Sequence, residues 1–164
     1  MEGTEHKTEF ERIYDMYVND IYRLCYSYMK NSMDAENAVQ EAFYKYYRCE
    51  QSFESDSHIK AWLVVTASNY CKDMLKHWWH KRYDIDECTN IHSENKTMEN
   101  ELMSAIMDLP EKYKTIVFLY YYEGYNSREI AKILNKPEST IRTYLQKARK
   151  YLKDDLIKGE VVYG

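Results

Sequence analysis

The chain has 164 residues, 45% of them apolar, with only four glycines and two prolines, so it predicts an all-α fold made of two small helical domains. No apolar run is long enough to cross a bilayer and the first residues are acidic, so neither membrane insertion nor a signal peptide is expected. The net charge of −4 does not exclude a nucleic-acid-binding protein, because the charge is unevenly distributed along the chain. Residues 83–101 hold six acidic residues and one lysine, whereas residues 102–164 hold eleven basic and eight acidic residues.

A first long helix is predicted from Phe10 to Met29, where apolar residues recur at steps of three and four over several turns. Asn31 or Ser32 can cap a second helix. The inward face of that helix is apolar and is formed by Ala35, Ala38, Val39, Ala42, Phe43 and Tyr46. Its outer face is polar and acidic and is formed by Asp34, Glu36, Asn37, Gln40 and Glu41.

Residues 49–58 are rich in turn formers and lack helical periodicity, which predicts a loop that carries one aromatic residue, Phe53. A third helix is predicted from about Ile59 to about Trp79. Its inward set is Trp62, Leu63, Val65, Thr66, Asn69 and Leu75. Basic residues collect at or beyond its ends, namely Lys60, Lys72, Lys76, His77, Lys81 and Arg82.

An acidic, aperiodic stretch over residues 83–98 has too few large apolar groups to offset the entropy of ordering, which predicts a flexible linker. The predicted domains are therefore residues 1–82 and 99–164. In the second domain, helices are expected from Glu99 to Leu109 and again after Pro110, with a stop at Gly124.

Residues 125–149 then predict a helix-turn-helix. Asn126 can cap its first helix while Glu129 reaches back, as in a capping box. Asn135 tolerates the left-handed conformation that ends a helix, and Pro137 cannot continue one. Both ends of this short helix are therefore specified by the sequence.

The second helix of this motif has a buried stripe and a basic face. Its stripe is Ile141, Leu145, Ala148 and Leu152, at steps of four, three and four. The opposite side carries groups that can hydrogen-bond base edges or phosphates, on Thr140, Arg142, Thr143, Gln146, Lys147 and Lys150. The pattern favours a DNA-reading helix, and the alternative is an amphipathic hairpin whose basic face is only solvated.

The cysteines indicate a reduced, cytoplasmic protein, because Cys25, Cys49, Cys71 and Cys88 lie far apart without a Cys-x-x-Cys pair. A metal-dependent enzyme would need a site built from Cys71, His77, His80 and Cys88. Their spacing matches no familiar zinc site, and no paired carboxylate or nucleophile lies nearby. No metal and no cofactor are expected.

With both halves laid out, the chain resembles the extracytoplasmic-function (ECF) sigma factors of the sigma-70 family. Residues 34–43 (DAENAVQEAF) resemble the family's polymerase-binding helix, and residues 61–73 (AWLVVTASNYCKD) resemble its −10 promoter helix. Residues 109–113 (LPEKY), 129–131 (EIA) and 139–142 (STIR) resemble its −35 domain. Three motifs in the family's order are more specific than one helix-turn-helix.

The resemblance implies a protein without a catalytic centre that binds core RNA polymerase, through the clamp coiled coil and the flap, and recognises −35 and −10 promoter elements. The polymerase-binding residues would be Asp34, Glu36, Asn37, Gln40 and Glu41, unless this face is only solvated. The acidic linker would lie in the polymerase's RNA channel or serve as a passive tether. An anti-sigma factor is a further expected partner.

The resemblance also implies two DNA-binding sets. The −10 set is Phe53, Lys60, Asn69, Lys72 and Lys76. In the family the loop of residues 49–58 grips a flipped base, so Phe53 would stack on that base or else fill the core, and Ser52, Ser55 or Asp56 would hydrogen-bond it. The −35 set is Ser139, Thr140, Arg142, Thr143, Gln146, Lys147, Arg149 and Lys150.

Two departures from the family's pattern affect the −35 set, because Ser139 and Tyr144 replace a common glycine and arginine.

A rival interpretation is a two-domain helix-turn-helix regulator that binds DNA without acting as a polymerase subunit. Stable binding to core polymerase would separate the two.

Overall fold

The computed structural model describes residues 8–82 and 101–158, with side chains at 8–78 and 101–152. These ranges contain helices and connecting turns and no strand, so the predicted all-α class is confirmed. The α-helices are α1 (Glu9–Met29), α2 (Ser32–Arg48), α3 (Asp56–Arg82), α4 (Glu101–Met107), α5 (Glu111–Val117), α6 (Ser127–Leu134) and α7 (Glu138–Lys158). None of these helices is both long and apolar enough to span a bilayer.

Side-chain caps fix the starts of α1 and α2, and a left-handed residue ends α1. Thr8 and Glu11 form a capping box at the start of α1, where the Glu11 backbone N–H donates to Thr8 Oγ1 at 3.0 Å. Lys30 ends α1 in the left-handed conformation, with φ of 64°. The predicted cap of α2 is confirmed at Asn31, whose Oδ1 accepts a hydrogen bond from the Asp34 backbone at 2.9 Å.

Helix α3 begins at Asp56, three residues earlier than predicted, so the loop covers residues 49–55 only. The reason is a cap that periodicity does not reveal: Ser55 Oγ accepts a hydrogen bond from the His58 backbone at 3.1 Å. Arg12 of α1 also donates to the Asp56 carboxylate, at 2.9 and 3.1 Å. Ser55 and Asp56, two of the three proposed hydrogen-bonding partners of a flipped base, thus have structural partners here.

Helices α1, α2 and α3 pack into a three-helix bundle. The predicted inward face of α2 is confirmed, with Ala35, Ala38, Val39, Ala42 and Phe43 buried and Tyr46 half-buried. On α3 the buried stripe is Leu63, Val64, Ala67 and Cys71, so the inward placement of Asn69 was wrong, because Asn69 is exposed. The buried face of α3 was predicted incorrectly because Ala67 and Cys71 are small and contribute less to the apolar pattern than the large Trp62.

The C-terminal half packs α4 and α5 against the middle of α7. Its own core cluster contains Met103, Ala105, Ile106, Leu109, Tyr113, Val117, Ala148 and Leu152. After α5 the chain continues as a π-helical segment, Phe118–Tyr122. The predicted stop at Gly124 is confirmed, since Gly124 has a φ of 82°, which glycine adopts without strain.

The helix-turn-helix is formed by α6 and α7. The predicted capping box is present, with Asn126 and Glu129 exchanging two hydrogen bonds of 2.9 Å. Asn135 ends α6 at φ 58° and ψ 49°, the predicted left-handed stop. The whole predicted stripe of α7 is buried, namely Ile141, Leu145, Ala148 and Leu152.

The two halves also pack against each other, which the sequence did not predict. Helices α1 and α3 contact α4, α5 and α6, and one apolar cluster contains residues of both halves. At this interface the Tyr28 hydroxyl lies 2.6 Å from Thr115 Oγ1, and the Lys114 amine donates to the Ser27 carbonyl. The predicted linker over residues 83–98 lies outside the described residues.

Candidate nucleic-acid interface

The basic surface of the C-terminal half lies on α7, opposite its buried stripe. The predicted −35 residues are exposed there, apart from the half-buried Thr140, and are Ser139, Arg142, Thr143, Gln146, Lys147, Arg149 and Lys150. Because the stripe holds the helix in place, hydroxyl, amide and cationic groups face solvent together. This combination can donate to base edges and neutralise phosphates in one major groove.

Glu138, a residue without a predicted role, organises the start of α7. It lies 2.8 Å from Arg142 Nη1 and accepts a hydrogen bond from Ser127 Oγ at 3.4 Å, so it links α6 to the exposed face of α7. The Arg142 side chain is still 59% exposed. An ion pair this exposed contributes little stability, so a base edge or phosphate can replace the carboxylate.

Tyrosines fix two further positions on this helix. Arg149 Nε donates to the Tyr121 hydroxyl at 3.2 Å, and this hydrogen bond raises the pKa of Arg149. Tyr144 is half-buried and meets the Tyr113 ring edge-on, with ring centroids 5.4 Å apart. Tyr144 therefore packs the domain, where the family commonly has an arginine.

The aromatic loop residue Phe53 lies at the edge of the N-terminal bundle. Its ring is half-buried against His58, Trp62 and Tyr46, at centroid distances of 5.1, 5.9 and 6.0 Å. It also lines an open cleft of about 340 Å³. Other walls of this cleft include Phe10, Tyr46, Tyr47 and Ile59. The ring is thus partly a packing element and partly the wall of an aromatic cleft.

The polar residues of α3 that were predicted to contact the −10 element do not lie on one surface. Asn69 and Lys76 are exposed, whereas Lys72 is half-buried and desolvation lowers its pKa. Lys60 lies nine positions before Asn69, which is two and a half helical turns, so it points to the opposite side of α3. Its side chain is only 18% exposed and pairs with Glu123 of the C-terminal half and with Asp20 at 3.2 Å.

Charge and burial have opposite effects on the pKa of Lys60. Desolvation acts to lower its pKa, but the hydrogen bonds and charges of Glu123 and Asp20 outweigh this effect, and the pKa is raised. Burial also raises the pKa of Glu123. This ion pair could not be predicted from sequence patterns, because its members lie 63 positions apart.

The predicted polymerase-binding face lies along the first three turns of α2. Glu36, Asn37 and Gln40 are exposed, and Asp34 and Glu41 are half-buried. Asp34 is held in place by the side chain of Asn31, whose amide donates to Asp34 Oδ2 at 2.8 Å. The remaining groups are free to approach a basic partner.

The metal site of the enzyme alternative is not assembled on α3. Cys71 is buried and shares a hydrogen bond with Cys25, whereas His77 is exposed. The His80 side chain and Cys88 lie outside the described residues. Within the part of the chain that the structure describes, no three histidine, cysteine or acidic side chains are grouped so as to hold an ion.

Each half of the chain matches a known protein family. Residues 13–80 match "Sigma-70 region 2" and residues 99–152 match "Sigma-70, region 4". The chain is 31% identical over 145 residues to the RNA polymerase sigma factor SigV of Bacillus subtilis, with 87% of each chain covered. The chain belongs to the ECF sigma factors of the sigma-70 family. It is also 28% identical over 165 residues to the ECF RNA polymerase sigma factor SigW of the same organism, covering 90% of this chain and 88% of SigW.

A solved structure shares the fold of this sigma factor. The sigma factor RpoE of Bartonella quintana, in a co-crystal structure with the anti-sigma factor NepR, matches with a TM-score of 0.71 at 21% identity, covering 90% of this chain and 96% of RpoE.

The family assignment confirms the predicted function. The chain is a transcription initiation factor and not an enzyme: it binds core RNA polymerase and directs initiation at promoters. The alternative of a free-standing helix-turn-helix regulator is not favoured, because residues 13–80 match the sigma-70 region 2 family as well.

Proposed function

We propose that this sigma factor reads the −35 element with the exposed face of α7 and engages the −10 element with the aromatic cleft and the cations of α3. The acidic face of α2 binds the clamp coiled coil of the polymerase, since carboxylates and amides are exposed there. The observation that carries the proposal is the α7 face, where Arg142, Thr143, Gln146 and Lys147 are exposed together above a fully buried stripe.

Within that face, Arg142, Thr143, Gln146 and Lys147 contact bases, and Arg149 and Lys150 contact phosphate. A bidentate base contact contributes about 1 to 3 kcal/mol of discrimination, whereas a phosphate contact strengthens binding to every sequence alike. Arg142 is the best candidate for a bidentate contact because its planar guanidinium is exposed near the start of the helix, where a recognition helix enters the groove.

The test is Arg142→Ala in reconstituted transcription from a promoter mapped after forced expression of the factor. We expect transcription from that promoter to fall roughly tenfold, a loss of about 1.4 kcal/mol, while affinity for core polymerase stays unchanged. Lys112→Ala is the matched control, because Lys112 is an exposed cation of α5 in the same half. Promoter selectivity that equals wild type in the Arg142 variant would contradict the assignment.

Two partners complete the proposal. We place the factor in the cytoplasm, where core polymerase and promoter DNA are found. The Bartonella relative is bound by an anti-sigma factor, and a partner of that kind that covers the α2 and α3 faces would keep this sigma factor inactive. Affinity purification from resting cells checks this part, and recovery of the factor with polymerase alone would count against it.

A further inference from the structure

The aromatic cleft beside Phe53 continues past that residue along a line of rings. Phe53 contacts Tyr46, with ring centroids 6.0 Å apart. Phe10 contacts both Tyr46 and Tyr47, at centroid distances of 6.0 and 5.5 Å. Phe53 and Tyr47 both line the cleft. A base that stacks on Phe53 therefore leaves a second aromatic wall of the same cleft without a role.

Tyr47 is the exposed end of this line of rings. It lies in the last turn of α2 and is 68% exposed. The ring of Phe10 supports it from one side, with the two ring planes at 83° to each other. This contact restrains the Tyr47 ring and leaves most of its surface free to stack on a planar group. A ring that is ordered before binding loses less conformational entropy when a ligand stacks on it.

A second exposed tyrosine on the same face of α2 already has a partner. Tyr44 lies three positions before Tyr47, and Arg48 lies one position after it, so the three side chains share the outer face of the last turn. The Arg48 guanidinium lies over the Tyr44 ring, 5.6 Å from its centroid, and donates to the Tyr44 hydroxyl at 3.2 Å. Tyr47 is therefore the ring of this face that is available to a ligand, and it has a cation beside it.

The charges around the cleft favour an unpaired strand over duplex DNA. Glu9 lines the cleft, and Glu50 and Glu54 of the adjoining loop are exposed. Arg12 donates to both carboxylate oxygens of Glu9, at 3.0 and 3.2 Å, and so balances one of these charges. A surface that held a duplex through its phosphates would need several cations. A single strand can instead bind through the faces of its bases, and aromatic rings supply that contact to any base.

We propose that Tyr47 is a second base-stacking site for the melted −10 strand. The base that is flipped into the cleft stacks on Phe53, and the unpaired base next to it on the same strand stacks on Tyr47. This inference rests on the proposed assignment of the cleft to the −10 element. Two bases held on two rings re-pair less readily than one, so the second site stabilises the melted state beyond the contribution of the first.

The test compares Tyr47→Leu, which removes the flat ring, with Tyr47→Phe, which keeps it. The probe is a single-stranded oligonucleotide with the non-template sequence of the −10 region of a mapped promoter. It is bound to purified holoenzyme, so that differences in affinity for core polymerase do not enter the comparison. We expect Tyr47→Leu to bind the probe roughly fivefold or more weakly than wild type, and Tyr47→Phe to equal wild type. Tyr151→Leu is the matched control and should also equal wild type, because Tyr151 is a 46% exposed tyrosine of the C-terminal half.

Abasic substitutions in the oligonucleotide identify the base that each ring contacts. Removal of a base should weaken wild-type binding at two adjacent positions. Phe53→Leu should be insensitive to base removal at one of these positions, and Tyr47→Leu at the other. Because stacking releases no counterions, the loss caused by Tyr47→Leu should be the same at low and at high salt. An equal loss in Tyr47→Phe, a loss that disappears at high salt, or insensitivity of both leucine variants at one shared position would each overturn the inference.

Failure of the proposed function gives a different result. If Tyr47→Leu binds the probe as wild type does while Phe53→Leu binds it weakly, the cleft keeps its assignment and only the second site is wrong. If Phe53→Leu binds as wild type does, the cleft is not a −10 site and the inference falls with it. Circular dichroism checks the fold of each variant. If Tyr47→Leu loses helix content, Tyr47→Met replaces it in every comparison, because methionine also favours a helix and also lacks a ring.

Discussion

Phe53 shows how one side chain can serve packing and recognition together. Part of its surface is covered by the rings of Tyr46, His58 and Trp62, and part lines an open cleft, so the sequence-based alternatives of core residue and base-stacking residue are not exclusive. Stacking of a base on an aromatic ring contributes about 1 to 3 kcal/mol, which is enough to bias one position of a melted strand toward the unpaired state.

At this scale we predict that Phe53→Leu weakens promoter opening more than it weakens the fold. Leucine fills most of the same space but lacks the flat face on which a base stacks. Permanganate footprinting of the −10 region and thermal melting of the protein measure the two effects. The control is Phe43→Leu, because Phe43 is 2% exposed and should lower the melting temperature without affecting opening. The opposite pattern at Phe53 would make it a core residue only.

At the scale of helices, the helix-turn-helix is specified locally. Asn126 and Glu129 fix the start of α6, Asn135 fixes its end, and the stripe of α7 follows from spacing alone. These features were predictable because each depends on residues within one or two turns of one another. The start of α3 was missed because Ser55 lies in a stretch of several turn formers, any of which can cap a helix.

We predict that Asn126→Ala destabilises the protein by about 1 kcal/mol, because the side-chain acceptor for the Glu129 backbone N–H is lost. Urea denaturation followed by circular dichroism measures this change. Asn126→Ser keeps a capping oxygen and should retain most of the stability. An alanine variant as stable as wild type would mean that the capping box contributes nothing to folding.

At the scale of the whole molecule, the packing of the two halves against each other could not be predicted from the sequence. Patterns along the chain predicted two helical units and a tether, but Lys60 and Glu123 lie 63 positions apart, and nothing local connects them. Lys114 is a similar case. A lysine in an amphipathic helix such as α5 is expected at the surface, yet Lys114 is only 3% exposed because the N-terminal bundle covers it. Burial lowers the pKa of Lys114 from 10.5 to about 7.

This burial predicts a pH dependence of stability. Lys114 must lose its proton on folding between its folded and unfolded pKa values, so its contribution to stability rises from about pH 7 toward pH 10.5 and is constant below that window. The melting temperature of wild type should therefore rise relative to that of Lys114→Met between about pH 7 and pH 9. Lys112→Met is the control, because Lys112 is exposed on the same helix. A difference that does not change with pH would contradict the prediction.

The shared apolar cluster has a thermodynamic consequence. Ile116, Phe118 and Leu119 are buried in one cluster with Leu24 and Leu63, so neither half completes its interior without the other. Heating should accordingly give a single cooperative transition, with the calorimetric enthalpy equal to the van't Hoff enthalpy, although the chain is built from two family modules. A destabilising substitution in one module would then lower the melting temperature of both.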